Sequence, residues 1–255
     1  MIAVIRAELL KLTTTRLWWI MLIVMLAYSA LPLGFTIAFA GQQGFPERGT
    51  RAFQEILWGL GQGGVLFAAV LGVVMMTAEY RYQTITTTFL VTPRRVRVVA
   101  AKLAATLVVG VLLGLAVLVL TALAVVVTTL AAGGALVFDG TTVRVIAGVL
   151  AALALYTLFG LGLGALIKNQ VAAILATVAW VYVVDSIINA IPALQPVGKW
   201  TPGGAASALT STVSTLGGVD TSYLLPAWAG AVVLLGYALL FSAVASLTTL
   251  RRDIT

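Results

Sequence analysis

Glu79 and Asp185 are the two carboxylates of this 255-residue chain whose surroundings could support chemistry. The sequence has no histidine and no cysteine. Imidazole bases, thiol nucleophiles, disulfides and the common zinc sites are therefore excluded. An enzyme acting on lipid would need convergent acids near a membrane interface. Asp185 lies within the apolar run Trp180-Val181-Tyr182-Val183-Val184-Asp185-Ser186, whereas Glu79 opens a polar loop at the opposite end of another apolar run. Groups so separated cannot work as a pair, which counts strongly against such an enzyme. A carboxylate in lipid costs about 3 kcal/mol or more, so Asp185 must face a partner or an aqueous path. It reads either as a substrate or proton contact, or as a hydrogen-bonded helix contact near the outer surface with Ser186 or Asn189. The nearness of the end of its run favours the second. A phosphate-binding loop needs G-x-x-x-x-G-K-[ST]. The nearest lookalike, Gly160-Leu161-Gly162-Leu163-Gly164 with Lys168, has the wrong spacing and no following Ser or Thr. No ATP or metal site is expected in the chain.

The elements that must position these residues are membrane spans. Apolar residues make up 61% of the chain and charged residues 9%, against about 25% charged in an ordinary soluble domain. Runs long enough to cross about 30 Å of hydrocarbon occupy 18–40, 58–78, 103–130, 145–167, 171–191 and 227–250. The third should tilt or project, since at 1.5 Å per residue it extends about 42 Å. No polar stretch is long enough for a second domain, so one transmembrane domain over 1–255 is expected. Ala38-Phe39-Ala40 resembles a signal-peptide cleavage site, but the preceding apolar run exceeds the usual length of about 7–15 residues and reads as a retained span.

The net charge of +7 does not form a nucleic-acid-binding stripe; the 15 basic residues lie between the apolar runs. With the N-terminus inside, Arg6, Lys11, Arg16, Arg81, Arg94, Arg95, Arg97, Lys102, Lys168, Arg251 and Arg252 fall inside, and Arg48, Arg51, Arg144 and Lys199 outside. That asymmetry predicts both termini in the cytoplasm. Trp18, Trp19, Tyr80 and Tyr82 then mark the inner interface, and Trp58, Trp200 and Trp228 the outer one. Arg exceeds Lys, and Ala, Val, Leu and Gly dominate, which fits a high-GC bacterial gene and a bacterial plasma membrane.

Three local patterns refine this frame. Residues 1–16 place Ile2, Ile5, Leu9 and Leu12 at roughly helical spacing around Arg6, Glu8 and Lys11, either as a short interfacial helix or as a basic leader that fixes orientation. The segment 192–226 is too rich in Pro, Gly, Ser and Thr for a span, yet Ala205, Leu209, Val213 and Leu216 recur at helical spacing. It reads as a helix re-entering the outer leaflet or as an external loop. The pairs Gly59/Gly63, Gly110/Gly114 and Gly160/Gly164 permit close helix approach, within one subunit or at a dimer interface.

The most informative stretch is the inner loop 79–102. It has a polar opening (Glu79-Tyr80-Arg81-Tyr82), a threonine-rich middle with Phe89 and Leu90 available to pack, then Pro93 and clustered Arg94, Arg95 and Arg97. For the three arginines alone the positive-inside rule is sufficient. The run from Glu79 to Arg95, closed by Ala100-Ala101-Lys102, resembles the first cytoplasmic loop of type-2 ABC exporter permeases, in which an E-x-R-x-x-T-[IL] opening precedes an apolar pair and a P-R-R close. Glu8-Leu9-Leu10-Lys11-Leu12 with Arg16 is similar to that family's leader. Trp200-Thr201-Pro202-Gly203-Gly204-Ala205-Ala206 is similar to its outer region before the last helix. Phe89 stands where the family often has Leu.

The resemblance covers essentially the full length. It implies an all-α polytopic permease with six spans, an interfacial N-terminal helix and an outer re-entrant segment. It also implies pairing with a second permease copy, as homo- or heterodimer, and docking of two separate ABC ATPase subunits. By the same resemblance the coupling element lies in the loop, with Glu79, Arg81, Thr84, Phe89, Pro93, Arg94 and Arg95 on matching positions. No cofactor is expected in this chain, with ATP and Mg held by the ATPase, and substrate would move outward. A non-transporting membrane scaffold is the remaining alternative. No ring of acids or filter-like run supports a channel.

Overall fold

A computed structural model of the protein describes residues 2–42, 44–83, 95–211 and 223–247. These form helices and turns, with no strand among the described residues. Helix α1 is Ile2–Thr13 and α2 is Leu17–Ala38. Next come α3, Arg51–Leu60, a 3₁₀ turn at Gly61–Gly64, and α4, Val65–Arg81. The long α5 runs Arg95–Ala131 and α6 runs Gly140–Leu166. The fifth span is built from α7 (Gln170–Val178), a π-helical segment (Ala179–Val184) and α8 (Asp185–Ala190). Short α9 (Gln195–Gly198), α10 (Pro202–Thr210) and the final α11 (Ala227–Leu247) follow.

Among the described residues, six helical stretches are long and apolar enough to cross a membrane: Leu17–Ala38, Arg51–Arg81, Arg97–Ala131, Gly140–Leu166, Gln170–Ile188 and Ala227–Ala245. All six hydropathy-derived spans are thus present, and two differ in extent. The second begins at Arg51 rather than near Trp58, because the 3₁₀ turn carries the amphipathic α3 straight into α4. Trp58, expected at an interface, is buried and packs edge-on against Phe138 at 6.4 Å, while Trp200 and Trp228 are exposed. The third is a helix of 37 residues, about 55 Å long, and so exceeds the hydrocarbon thickness by several turns.

The centre of the bundle is α6, which packs against α4, α5, α10 and α11. Close approach to α4 depends on the absence of side chains: a methyl group at Gly160 would overlap the Ala69 carbonyl, and one at Gly72 the Thr157 carbonyl. Gly110 and Gly114 similarly meet Ala154 and Leu150 of α6, so these pairs serve packing within the chain. Gly59 and Gly63 differ, since a methyl group at either meets nothing within 4 Å. The second and fourth spans are about two-thirds and three-quarters buried inside the protein, whereas the first, fifth and sixth are mostly exposed.

At the end remote from α1, α3 organises the connections. Thr50 caps it by accepting from the Phe53 N–H at 3.3 Å. Gln54 holds the segment between α5 and α6, donating to the Ala135 carbonyl at 2.9 Å and accepting from the Val137 N–H at 3.0 Å. Asp139 caps α6 through the Thr142 N–H at 2.9 Å and pairs with Arg51 at 2.5 Å. The Thr142 amide, followed by the nearby guanidinium, holds the Asp139 carboxyl below its usual range.

Candidate functional site at the loop end of the bundle

Four charged side chains from three helices meet where α4 ends and α5 begins. Glu8 comes from α1, Glu79 from the last turn of α4, Lys102 from the early turns of α5, and Lys11 from the turn of α1 after Glu8. Lys11 lies 2.6 Å from Glu8 and 2.7 Å from Glu79. Lys102 pairs with Glu8 and lies 3.1 Å from Glu79. Each carboxylate is therefore shared between two ammonium groups. Glu8, Glu79 and Lys102 are each 4% exposed, and only Lys11 reaches solvent.

Burial alone would raise the Glu8 pKa, but Lys102 and Lys11 outweigh it and hold the carboxyl below its ordinary value. For Lys11, burial works downward and is outweighed by its bonds to Glu79 and Glu8, so its pKa stands above the usual lysine value. Two glutamates thus face two lysines, and the formal charges of the cluster balance.

The geometry explains how α1 attaches. Its protein-facing side is Val4, Ile5, Glu8, Leu9 and Leu12, with Glu8 at the centre, while Ile2 and Leu10 are exposed. The apolar spacing noted in the sequence does yield a helix, and its strongest tether to the bundle is a charged one. Breaking a buried pair by removing one partner costs about 3–5 kcal/mol, so this attachment is specific rather than greasy.

Of the expected loop residues, Glu79 is inside the protein and faces Lys11 and Lys102. Arg81 is exposed, donates to Gln170 Oε1 at 3.3 Å and lies 5.7 Å from the Tyr82 ring centre. Thr84, Phe89, Pro93 and Arg94 lie outside the described residues, and of Arg95 only its place at the start of α5 is described. Glu8, Lys11 and Lys102 all stood in recognised sequence patterns, but only the fold brings them to Glu79. Their spacing along the chain, with Glu8 and Lys102 separated by 94 positions, carries no signal of contact.

Asp185 is at the other end. Its carboxylate accepts from the Gly203 N–H in the first turn of α10 at 2.9 Å, with Thr201 beside it. Its hydrogen-bond partner is thus the Thr201-Pro202-Gly203 turn, where the sequence alone suggests Ser186 or Asn189 on its own helix. Ser186 is exposed. Thr201 accepts from the Gly204 N–H at 3.2 Å, so two side chains share the N–H groups that open α10. A methyl group at Gly203 would lie 2.5 Å from the Asp185 carboxylate, which explains the glycine. Ala205, Ala206, Ala208 and Leu209 of α10 are buried, and the helix packs between α6 and α11. Val213 and Leu216 lie outside the described residues.

Residues 4–186 match the family model of the ABC-2 family transporter proteins. That range takes in α1, the charged cluster, the loop and the first five spans as far as Asp185, so the chain belongs to this family. It is a multi-pass membrane protein and a transport component, the permease part of an ABC transporter. A search of curated proteins finds no match.

Proposed function

We propose that the chain is the permease subunit of an ATP-driven exporter in a bacterial plasma membrane. Two permease copies pair, and a separate ATPase docks beneath each through the loop 79–102, with ATP and Mg bound on that partner. Both termini face the cytoplasm on this reading, in keeping with the excess of basic residues at the α1 end. ATP binding moves the loop, the loop tilts α4 and α5, and a cavity between the two copies opens alternately to each side.

One observation carries the reading: the two helices that flank the loop are pinned to each other and to α1 by the same four charges. A push on the loop is therefore transmitted to three elements together. The carboxylates of Glu79 and Glu8 are both held by lysines, so a lipid-hydrolysing reading gains no support. Pairing is favoured by the largely exposed first and fifth spans, which flank an open groove of about 380 Å³ bordered by Tyr28, Pro32, Gly59, Gly63 and Tyr182.

The test is co-expression with an ATPase encoded beside the gene. The pair should co-purify and hydrolyse ATP, and deletion of 84–93 should abolish the complex while leaving a folded membrane protein. A complex that survives the deletion defeats the docking assignment.

A further inference from the structure

A cleft of about 420 Å³ opens beside the charged cluster, between α1, the end of α4 and the start of α7. One wall is apolar, formed by Leu12, Leu17, Val74, Met75 and Ala78. The other carries Lys11, Thr14, Thr15, Arg81 and Gln170. Trp18 and Trp19, both exposed, begin α2 next to this level, where aromatic rings mark a membrane–water interface. The cleft thus combines apolar and polar lining close to the kind of residue that marks a membrane–water interface.

Charge decides which headgroup fits. The two glutamates are 4% exposed, and their oxygens are held by Lys11 and Lys102, so the cluster is neutral and closed. Arg81 is the additional charge. Its contacts are with neutral groups, the Gln170 amide and the Tyr82 ring, and its planar fork matches phosphate oxygens. Lys11, half-exposed, turns part of its ammonium to the same space. The accessible charge is positive, and one phosphate diester would balance it.

We propose that this cleft holds one anionic phospholipid, its phosphate on Arg81 and Lys11 and one acyl chain along Leu12, Leu17, Val74 and Met75. The volume takes a headgroup and the upper part of a single chain, and the remainder lies along the exposed face of α2. The lipid then wedges α1 against α4 beside the base of the loop. This goes beyond the transport reading and does not depend on it, since binding is measured without ATPase or substrate.

The experiment titrates the purified full chain in detergent with phosphatidylglycerol, phosphatidylcholine or inorganic phosphate, and counts retained lipid by native mass spectrometry. The wild type should retain phosphatidylglycerol in preference to phosphatidylcholine. Arg81→Gln should weaken phosphatidylglycerol about fivefold, the effect of one basic group at an anionic headgroup, and leave phosphatidylcholine unchanged. Ala78→Phe, which narrows the apolar wall, should reduce retention of both lipids. Thermal unfolding checks that the variants fold, and the wild-type comparison of the two lipids needs no variant. Equal retention of the two lipids overturns the proposal, as does Arg81→Gln binding like wild type. Displacement of the lipid by inorganic phosphate alone would mark a free-phosphate site and also overturns it.

Discussion

Glu8 and Glu79 converge on Lys102, and no other cation in the cluster is as deeply buried. Replacing it with alanine leaves two enclosed carboxylates to share the half-exposed Lys11. Lys102→Ala should therefore cost about 3–5 kcal/mol, read as a lower Tm in detergent at pH 7. The double variant Glu8→Gln with Lys102→Met removes opposite charges together and should recover most of that loss, because well-packed neutral groups replace a buried pair at little cost. The pH dependence has a definite sign. Glu8, held below its ordinary value, contributes stability above the normal carboxylate range, and this is lost as pH falls through its lowered folded value. Lys11, raised, contributes below the ordinary lysine value of about 10.4, and this is lost only as pH rises through its folded value. Between these limits neither of these two contributions changes with pH. Thermal unfolding followed downward from neutrality should fall more steeply below about pH 4 in the wild type than in the double variant. Matching acid limbs would show that the cluster contributes nothing to the fold.

At the scale of elements, α10 is a short helix in a segment whose composition argued against a span, and its start explains how it forms. Thr201 and the distant Asp185 satisfy N–H groups of its first turn, and Pro202 needs none. Asp185→Asn keeps an acceptor oxygen for the Gly203 N–H and should leave both transport and Tm nearly unchanged. Asp185→Ala removes the acceptor and should cost about 0.5–2 kcal/mol, as other lost helix caps do. Loss of transport in a folded Asp185→Asn protein would instead mark a carboxylate whose charge matters to substrate or protons. The same scale shows what the sequence could convey. Long apolar runs located all six spans, because hydrophobicity over about 20 residues is a local property. The start of the second span escaped that reading because α3 buries Gln54 and Glu55, and the Gln54 partners Ala135 and Val137 become visible only once the bundle is assembled. The π-helical segment before Asp185 escaped it too, since a shift of hydrogen-bond register leaves hydropathy untouched. Glu8, Lys11, Glu79 and Lys102 were each legible as motif residues, but their meeting was not, for pairing across three helices depends on how α1 folds back.

At the scale of the whole molecule, the burial pattern separates an inner pair of spans from an outer set. The second and fourth spans interlock through Gly72, Gly160 and Gly164, while the first, fifth and sixth turn most of their surface outward. Lipid can cover an apolar face, but it does not account for two glycines one helical turn apart at which a methyl group would meet nothing within 4 Å among the described residues. Gly59 and Gly63 have that property, and they border the groove between the first and fifth spans, where Tyr28 and Tyr182 join their hydroxyls at 2.5 Å. Small residues let a neighbouring backbone approach closely, so this groove is where a second copy would seat. The natural chain has no cysteine, so a single introduced thiol reports without background. Gly63→Cys in native membranes, treated with a short bis-thiol linker, should yield a covalent dimer. Val119→Cys, on the exposed face of α5, should remain monomeric. Dimer from both positions would indicate random collision in the bilayer, and dimer from Val119 alone would move the pairing surface to the other side of the bundle. A dimer from Gly63 alone would put the two copies' loops on a common face, as a pair of docked ATPases requires.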